Sequence, residues 1–135
     1  MNILQLHHVS IATSDLDRSA RFYGSVFGLE QIPRPPFDTV GIWLESGPVQ
    51  IHLIDNKGGT FRSNRTIATN DTHFALRVTD FTAALNQLAA CGFREDLPDG
   101  DPLRIVIRRT NVAGYPQAYI LDPDGNIVEI NAAAS

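Results

Sequence analysis

The sequence predicts an α+β fold built from two βαβββ modules related by a pseudo-two-fold, and three observations carry that expectation. Apolar–polar alternation over residues 3–13 gives way to helical spacing in "SDLDRSARFYGSVFG", then to short alternating runs. The pattern then restarts: "THFALRVTDFTAALNQLAACGF" lays over "HHVSIATSDLDRSARFYGSVFGL", with His8 and His73 each seven residues before an aspartate, Asp15 and Asp80. Finally, "IWLESGPVQIHL" overlays "YILDPDGNIVEI" without a gap. That overlay sets His52 on Glu129, each nine residues after an apolar strand position, Trp43 and Ile120. The expected layout is one domain over 1–135, with module one at about 3–55, a linker at about 56–70 and module two at about 71–131.

Each element has a local reason. In the first helix Leu16, Ala20, Tyr23 and Phe27 fall on one side, Ser14 or Asp15 can cap the start, and Gly28 can end it. "GLEQI" reads as a short strand and "RPPFD" as a proline-broken loop. "TVGIWLES" and "VQIHLID" read as a hairpin turning at Gly47-Pro48. The stretch 55–70, rich in Gly, Asn and Thr, reads as a linker or mobile loop. "LAACGF" reads as a helix end with Cys91 as a buried, inert thiol.

Composition limits the possible functions. A chain of 135 residues with 43% hydrophobic and 19% charged residues is an ordinary globular domain able to bury its own core. Net charge is −4, and ten of the eleven basic residues are scattered arginines, so there is no electrostatic footprint for nucleic acid. The single cysteine excludes an internal disulfide and suits a reducing compartment. Without a signal-like start or an apolar run near the ~20 residues that span a bilayer, the expected location is the cytoplasm, with no membrane partner.

Alternation assigns faces to the strands. Ser10 and Ala12 share a face with His8, whereas Val9 and Ile11 share one with His7, which is expected to turn toward the helix layer. His73, Ala75 and Arg77 oppose Phe74, Leu76 and Val78; Gln50 and His52 oppose Val49, Ile51 and Leu53; Glu129 opposes Val128 and Ile130. Every repeat-related strand thus offers one metal-competent side chain: His8 with His73, and His52 with Glu129. Imidazole and carboxylate are ordinary ligands for Zn²⁺, Ni²⁺, Co²⁺, Mn²⁺ or Fe²⁺. A carboxylate on an otherwise apolar strand is costly to bury unless it is paired or metal-bound.

The pieces "LHHVSIATSDLDRSARFYGSVFGL", "VQIHL", "DTHFAL" and "LDPDGNIVEI" make the chain resemble the vicinal oxygen chelate superfamily. That superfamily takes in glyoxalase I, methylmalonyl-CoA epimerase, fosfomycin-resistance enzymes, extradiol dioxygenases and bleomycin-binding proteins. The resemblance implies a U-shaped mixed sheet around a concave metal site. It places the superfamily's ligand positions on His8, His52, His73 and Glu129. It also implies divalent-metal-dependent lyase or isomerase chemistry on a small oxygen-chelating substrate, with Glu129 as the proton-abstracting carboxylate. His52 stands where glyoxalase-I-like members often carry Glu or Gln, and is expected to act as a ligand or a neutral base.

Tyr119, ten residues before Glu129, matches a tyrosine of the fosfomycin thiol transferases and joins Glu129 and His52 as a catalytic candidate. Against a phosphonate substrate, the chain ends "EINAAAS" without a basic tail, leaving Arg77, Arg104, Arg108 or Arg109 to fill that role. The alternatives are therefore a thiol transferase or epoxide-opening enzyme, a dioxygenase, and a non-catalytic small-molecule-binding protein. Analogy also implies a homodimer. The 55–70 stretch and "TNVAGYP" are the expected gates of the cavity.

Overall fold

The structure, a computed structural model, describes residues 1–134. Its contacts divide the chain into two compact units, Met1–Thr60 and the remainder from Phe61. The first unit runs β1 (His8–Thr13), α1 (Leu16–Phe27), β2 (Glu30–Ile32), β3 (Gly41–Ser46) and β4 (Val49–Asp55). The second runs β5 (His73–Val78), α2 (Phe81–Ala90), β6 (Val106–Arg108), β7 (Gln117–Leu121) and β8 (Ile127–Ala132). Both are βαβββ, as the internal repeat predicts.

The two sheets share one topology, β1-β4-β3-β2 and β5-β8-β7-β6. In each, the helix carries the chain to the far edge and a meander returns it, so the last strand lies parallel to the first. The helices begin alike. Asp15 Oδ1 accepts from the Arg18 N–H at 3.0 Å, and Asp80 Oδ1 from the Ala83 N–H at 2.9 Å. Gly28 ends α1 at φ +66°, a left-handed cap that favours glycine.

Cores follow the predicted apolar faces. In the first unit α1 packs on β3 and β4, and Ile11, Tyr23, Leu44, Ile51 and Leu53 are buried. Buried Thr13 and Ser19 hydroxyls satisfy one another at 2.7 Å. In the second, Leu88, Phe93, Ala118, Ile120, Val128 and Ile130 are buried. On the other face of that sheet Tyr119, Leu121 and Ile127 form a cluster covered by Ile67 and Val106. Among the described residues no helix is long and apolar enough to cross a membrane.

Three details depart from the pattern read in the sequence. β1 starts at His8, not near residue 3, because its ladder to β4 begins with the His8–Gln50 pair. Alternation without a partner strand leaves Ile3, Leu4 and Leu6 exposed. The 55–70 stretch is divided between the units. Asn56 donates to the Thr13 carbonyl at 3.0 Å, whereas Arg62 donates to Asp71 Oδ2 at 3.1 Å and to the Thr66 carbonyl at 2.7 Å.

The third departure is the gapless hairpin overlay, which is one residue out of step. Trp43 pairs with His52 across β3 and β4, but Glu129 is paired with Tyr119, not Ile120. The extra residue sits in the Asp122–Asn126 turn. There Asp122 Oδ1 accepts the Asp124 and Asn126 N–H groups at 3.0 and 2.8 Å, and Gly125 takes φ +86°. Because side chains alternate, a one-residue slip exchanges faces: Tyr119, rather than Ile120, is the counterpart of Trp43.

Candidate metal centre

In the second unit three of the predicted site residues come together. His73 on β5, Glu129 on β8 and Tyr119 on β7 share one face of the sheet, since Ala75 and Tyr119 both pair with Glu129. Glu129 is 4% exposed. Its Oε1 accepts from Gln117 Nε2 at 2.9 Å and from Asn131 Nδ2 at 2.8 Å. Its Oε2 lies 3.1 Å from His73 Nε2. Burial pushes the Glu129 carboxyl up, but the bonds from Asn131, Gln117 and His73 outweigh it and hold the group below the ordinary carboxylate range. The Tyr119 ring meets His73 edge-on at 5.7 Å; burial and the Glu129 charge push its phenol up, so it stays a donor at neutral pH.

The His73 tautomer is fixed by its other nitrogen. Nδ1 lies 2.8 Å from the Asp71 carbonyl oxygen, which can only accept, so Nδ1 carries the proton. His73 therefore presents Nε2 to an ionised carboxylate oxygen. Two acceptors at 3.1 Å repel unless a cation lies between them, either a proton on Nε2 or a metal ion. Two ligand atoms on one ion with bonds of about 2.1 Å are about 3 Å apart at a right angle, which this pair matches. A ring N–H donated to a backbone carbonyl is also the usual outer support of a metal-binding histidine.

In the first unit His8 and His52 lie on one face of adjacent parallel strands, with Ser10 opposite His52. His52 is 6% exposed and sandwiched: the Trp43 ring is 4.0 Å away at 4° and the His8 ring 4.0 Å away at 15°. Its Nε2 donates to Gln50 Oε1 at 2.8 Å. Burial, followed by His8, His7 and Arg34, pushes the His52 imidazole below its ordinary value and keeps it neutral. Stacked rings send their lone pairs side by side, so a shared ion requires His8, the exposed ring, to turn out of the stack. Within either unit no group of three or more His, Cys, Asp or Glu among the described residues is arranged as a metal cluster. The residue types themselves, imidazole and a held carboxylate, suit a divalent cation.

His7 is a correction. It does not turn to the helix layer: its Nδ1 is 2.8 Å from His8 Nδ1, and its ring lies edge-on to His52 at 6.5 Å. His7 sits at the mouth of the ladder: its carbonyl accepts the Gln50 N–H at 3.0 Å, but the register pairs begin only at His8. Of the predicted arginines, Arg109 pairs with Glu95 at 2.9 Å and Arg104 with Asp99 at 3.1 Å. Arg77 lies over the Tyr115 ring at 4.9 Å and donates to Asn131 Oδ1 at 2.7 Å. Sequence reasoning missed Gln117 and Asn131. The available signal was a polar residue two positions after Glu129 on a strand whose every residue is buried.

The sequence profile of the Glyoxalase/Bleomycin resistance protein/Dioxygenase superfamily matches residues 5–130. The chain belongs to this superfamily. It is 26% identical over 132 residues to "Glyoxylase I 4" of Arabidopsis thaliana, covering 96% of this chain and 71% of that protein. This superfamily member also shares its fold with the fosfomycin resistance protein FosX from Listeria monocytogenes, at TM-score 0.71 and 17% identity over 98% of this chain and 96% of the other. It is likewise similar to lactoylglutathione lyase from Agrobacterium tumefaciens, at TM-score 0.66 and 22% identity over 96% and 93% of the two chains.

A pH dependence follows for this superfamily member in its metal-free form. His52 is held below the ordinary imidazole value of about 6.5, so the stability it confers as a neutral group is lost as pH falls below that value. Glu129 is held below the ordinary carboxyl value of about 4.3, so its contribution is present above that pH and is lost on further acidification. Melting temperatures of chelator-treated protein between pH 8 and 3 (about, from these reference values) should fall in two stages. His52→Gln should remove the first stage. A flat profile down to about pH 4 would contradict the His52 assignment.

Proposed function

We propose that the chain is a divalent-metal-dependent enzyme of glyoxalase type, a lyase or isomerase acting on a small substrate that offers two oxygens to the ion. In this reading His8, His52, His73 and Glu129 are the metal-ligand candidates, with His73 and Glu129 the pair brought together within the second unit. One observation carries it: with Nδ1 held at the Asp71 carbonyl, His73 turns Nε2 to within 3.1 Å of Glu129 Oε2, close enough for both atoms to reach one cation. Superfamily membership and the similarity to a glyoxalase I relative agree with it.

When bound, the ion supplies Lewis acidity toward substrate oxygens and stabilises negative charge developing on them. The chain's own groups supply the rest. Glu129, kept ionised by two amide donors, can accept a proton from a carbon next to a carbonyl. His52, kept neutral, serves as a ligand or a second proton acceptor. Tyr119, kept protonated, presents a phenolic donor on the same face.

That placement of Tyr119 favours a second reading, epoxide opening or thiol transfer, in which the phenol assists the departing oxygen. The deciding experiment has two steps. Metal content is measured on protein purified without added metal and after titration with Zn²⁺, Ni²⁺, Co²⁺, Mn²⁺ and Fe²⁺. The loaded protein is then assayed with a hemithioacetal and with an epoxide plus thiol. Turnover of the hemithioacetal supports the first reading and turnover of the epoxide the second. Protein that takes up none of the five ions overturns both.

A further inference from the structure

We propose that Gln117, Asn131 and Arg77 are positioning residues that determine which oxygen of Glu129 is presented to the metal. The inference rests on the reading of Glu129 as a ligand and goes beyond it. The three residues lie on one face of three adjacent strands: Gln117 on β7 and Arg77 on β5 both pair with Asn131 on β8, two residues beyond Glu129. Gln117 Nε2 and Asn131 Nδ2 both donate to Oε1, at 2.9 and 2.8 Å. Two donors fill the lone pairs of one carboxylate oxygen, so Oε1 is committed to the protein. Oε2 lies 3.1 Å from His73 Nε2, on the face from which the Tyr119 phenol also interacts with this carboxylate.

The direction of the Asn131 amide is set in turn. Its Oδ1 accepts from Arg77 Nε at 2.7 Å, which leaves the NH₂ end to face Glu129. Arg77 is itself held against the Tyr115 ring, 4.9 Å from its centroid. The chain of contacts runs Tyr115 to Arg77 to Asn131 to Glu129, each step fixing the orientation of the next. Asn131 is 6% exposed, so water does not replace its amide freely. Glu129 is thereby presented through Oε2 alone, beside His73, and a bidentate mode would require Oε1 to break both amide bonds.

The test is Co²⁺ binding, followed by titration and by the visible absorption of the bound ion. The full chain is compared with Gln117→Met, Asn131→Leu, the double variant and Arg77→Leu. Loss of an outer partner of a ligand lowers metal affinity about 10- to 100-fold, so each amide variant should weaken binding about 10-fold and the double variant about 100-fold. The visible band should change in intensity, because a freed Oε1 alters the coordination number. Arg77→Leu should shift both readouts in the same direction by less. Gln117 is only half-buried and gives the variant least exposed to folding defects; thermal melts of the metal-free proteins separate those defects from a ligand effect. Amide variants that melt lower but bind Co²⁺ with unchanged affinity and spectrum would overturn the inference and leave the ligand reading intact. Wild-type protein that binds no Co²⁺ would overturn both.

Discussion

Replacing Glu129 with alanine is expected to reduce divalent-metal occupancy to background, a loss of at least about 100-fold in affinity, while His7→Ala leaves occupancy unchanged. Glu129 is the only anionic donor in the proposed set, and the sheet already holds it ionised with two amide donors. An alanine leaves only imidazoles as donors and strands the Gln117 and Asn131 amides beside the emptied position. Glu129→Gln separates the two effects: it keeps the volume and part of the hydrogen bonding but removes the charge, so the fold should be retained and the metal lost. Elemental analysis after dialysis is the measurement. The His7 control matters because His7 touches His8, 2.8 Å between their Nδ1 atoms, yet precedes the first register pair of the β1–β4 ladder. Equal losses from Glu129→Ala and His7→Ala would refute the ligand assignment.

The candidate residues of the two units differ in how far they could be read from sequence. His73 and Glu129 obey strand alternation because both lie inside ladders, opposite Ile127 and Tyr119. His7 escapes it by a single position, since the β1–β4 ladder opens at His8. Periodicity identifies which residues alternate, but not where the partner strand begins. The overlay of His52 on Glu129 was right while that of Trp43 on Ile120 was not, because an extra turn residue is invisible in an ungapped comparison. Tyr119 enters as a candidate only through the resemblance of its position to a tyrosine of the fosfomycin enzymes. The amide bracket of Gln117 and Asn131 has no motif of its own. It depends on a register between β5, β7 and β8 that no local spacing specifies.

The helix layer behind the first sheet was legible, and it carries the largest stability effect expected in the chain. Tyr23 falls on the predicted inner side of α1 with Leu16, Ala20 and Phe27, and it is fully buried, at 0% exposure. Its ring packs against Phe27, 5.9 Å between centroids at 30°, and meets Phe22 edge-on at 5.1 Å. Tyr23→Ala should cost about 3–5 kcal/mol, by lost transfer energy and by the cavity left among side chains that cannot close over it. For a chain of this size that is a fall in melting temperature on the order of 10 °C. The same helix packs on β4, where Ile51 and Leu53 flank His52 and point to the opposite face. Loosening that contact should therefore also weaken the hold of Trp43 and Gln50 on the His52 ring. Calorimetric melts of Tyr23→Ala and Tyr23→Phe distinguish packing from hydroxyl loss: the phenylalanine variant keeps the ring and should retain most of the stability. Equal destabilisation by both variants would move the weight of this position from its ring to its hydroxyl.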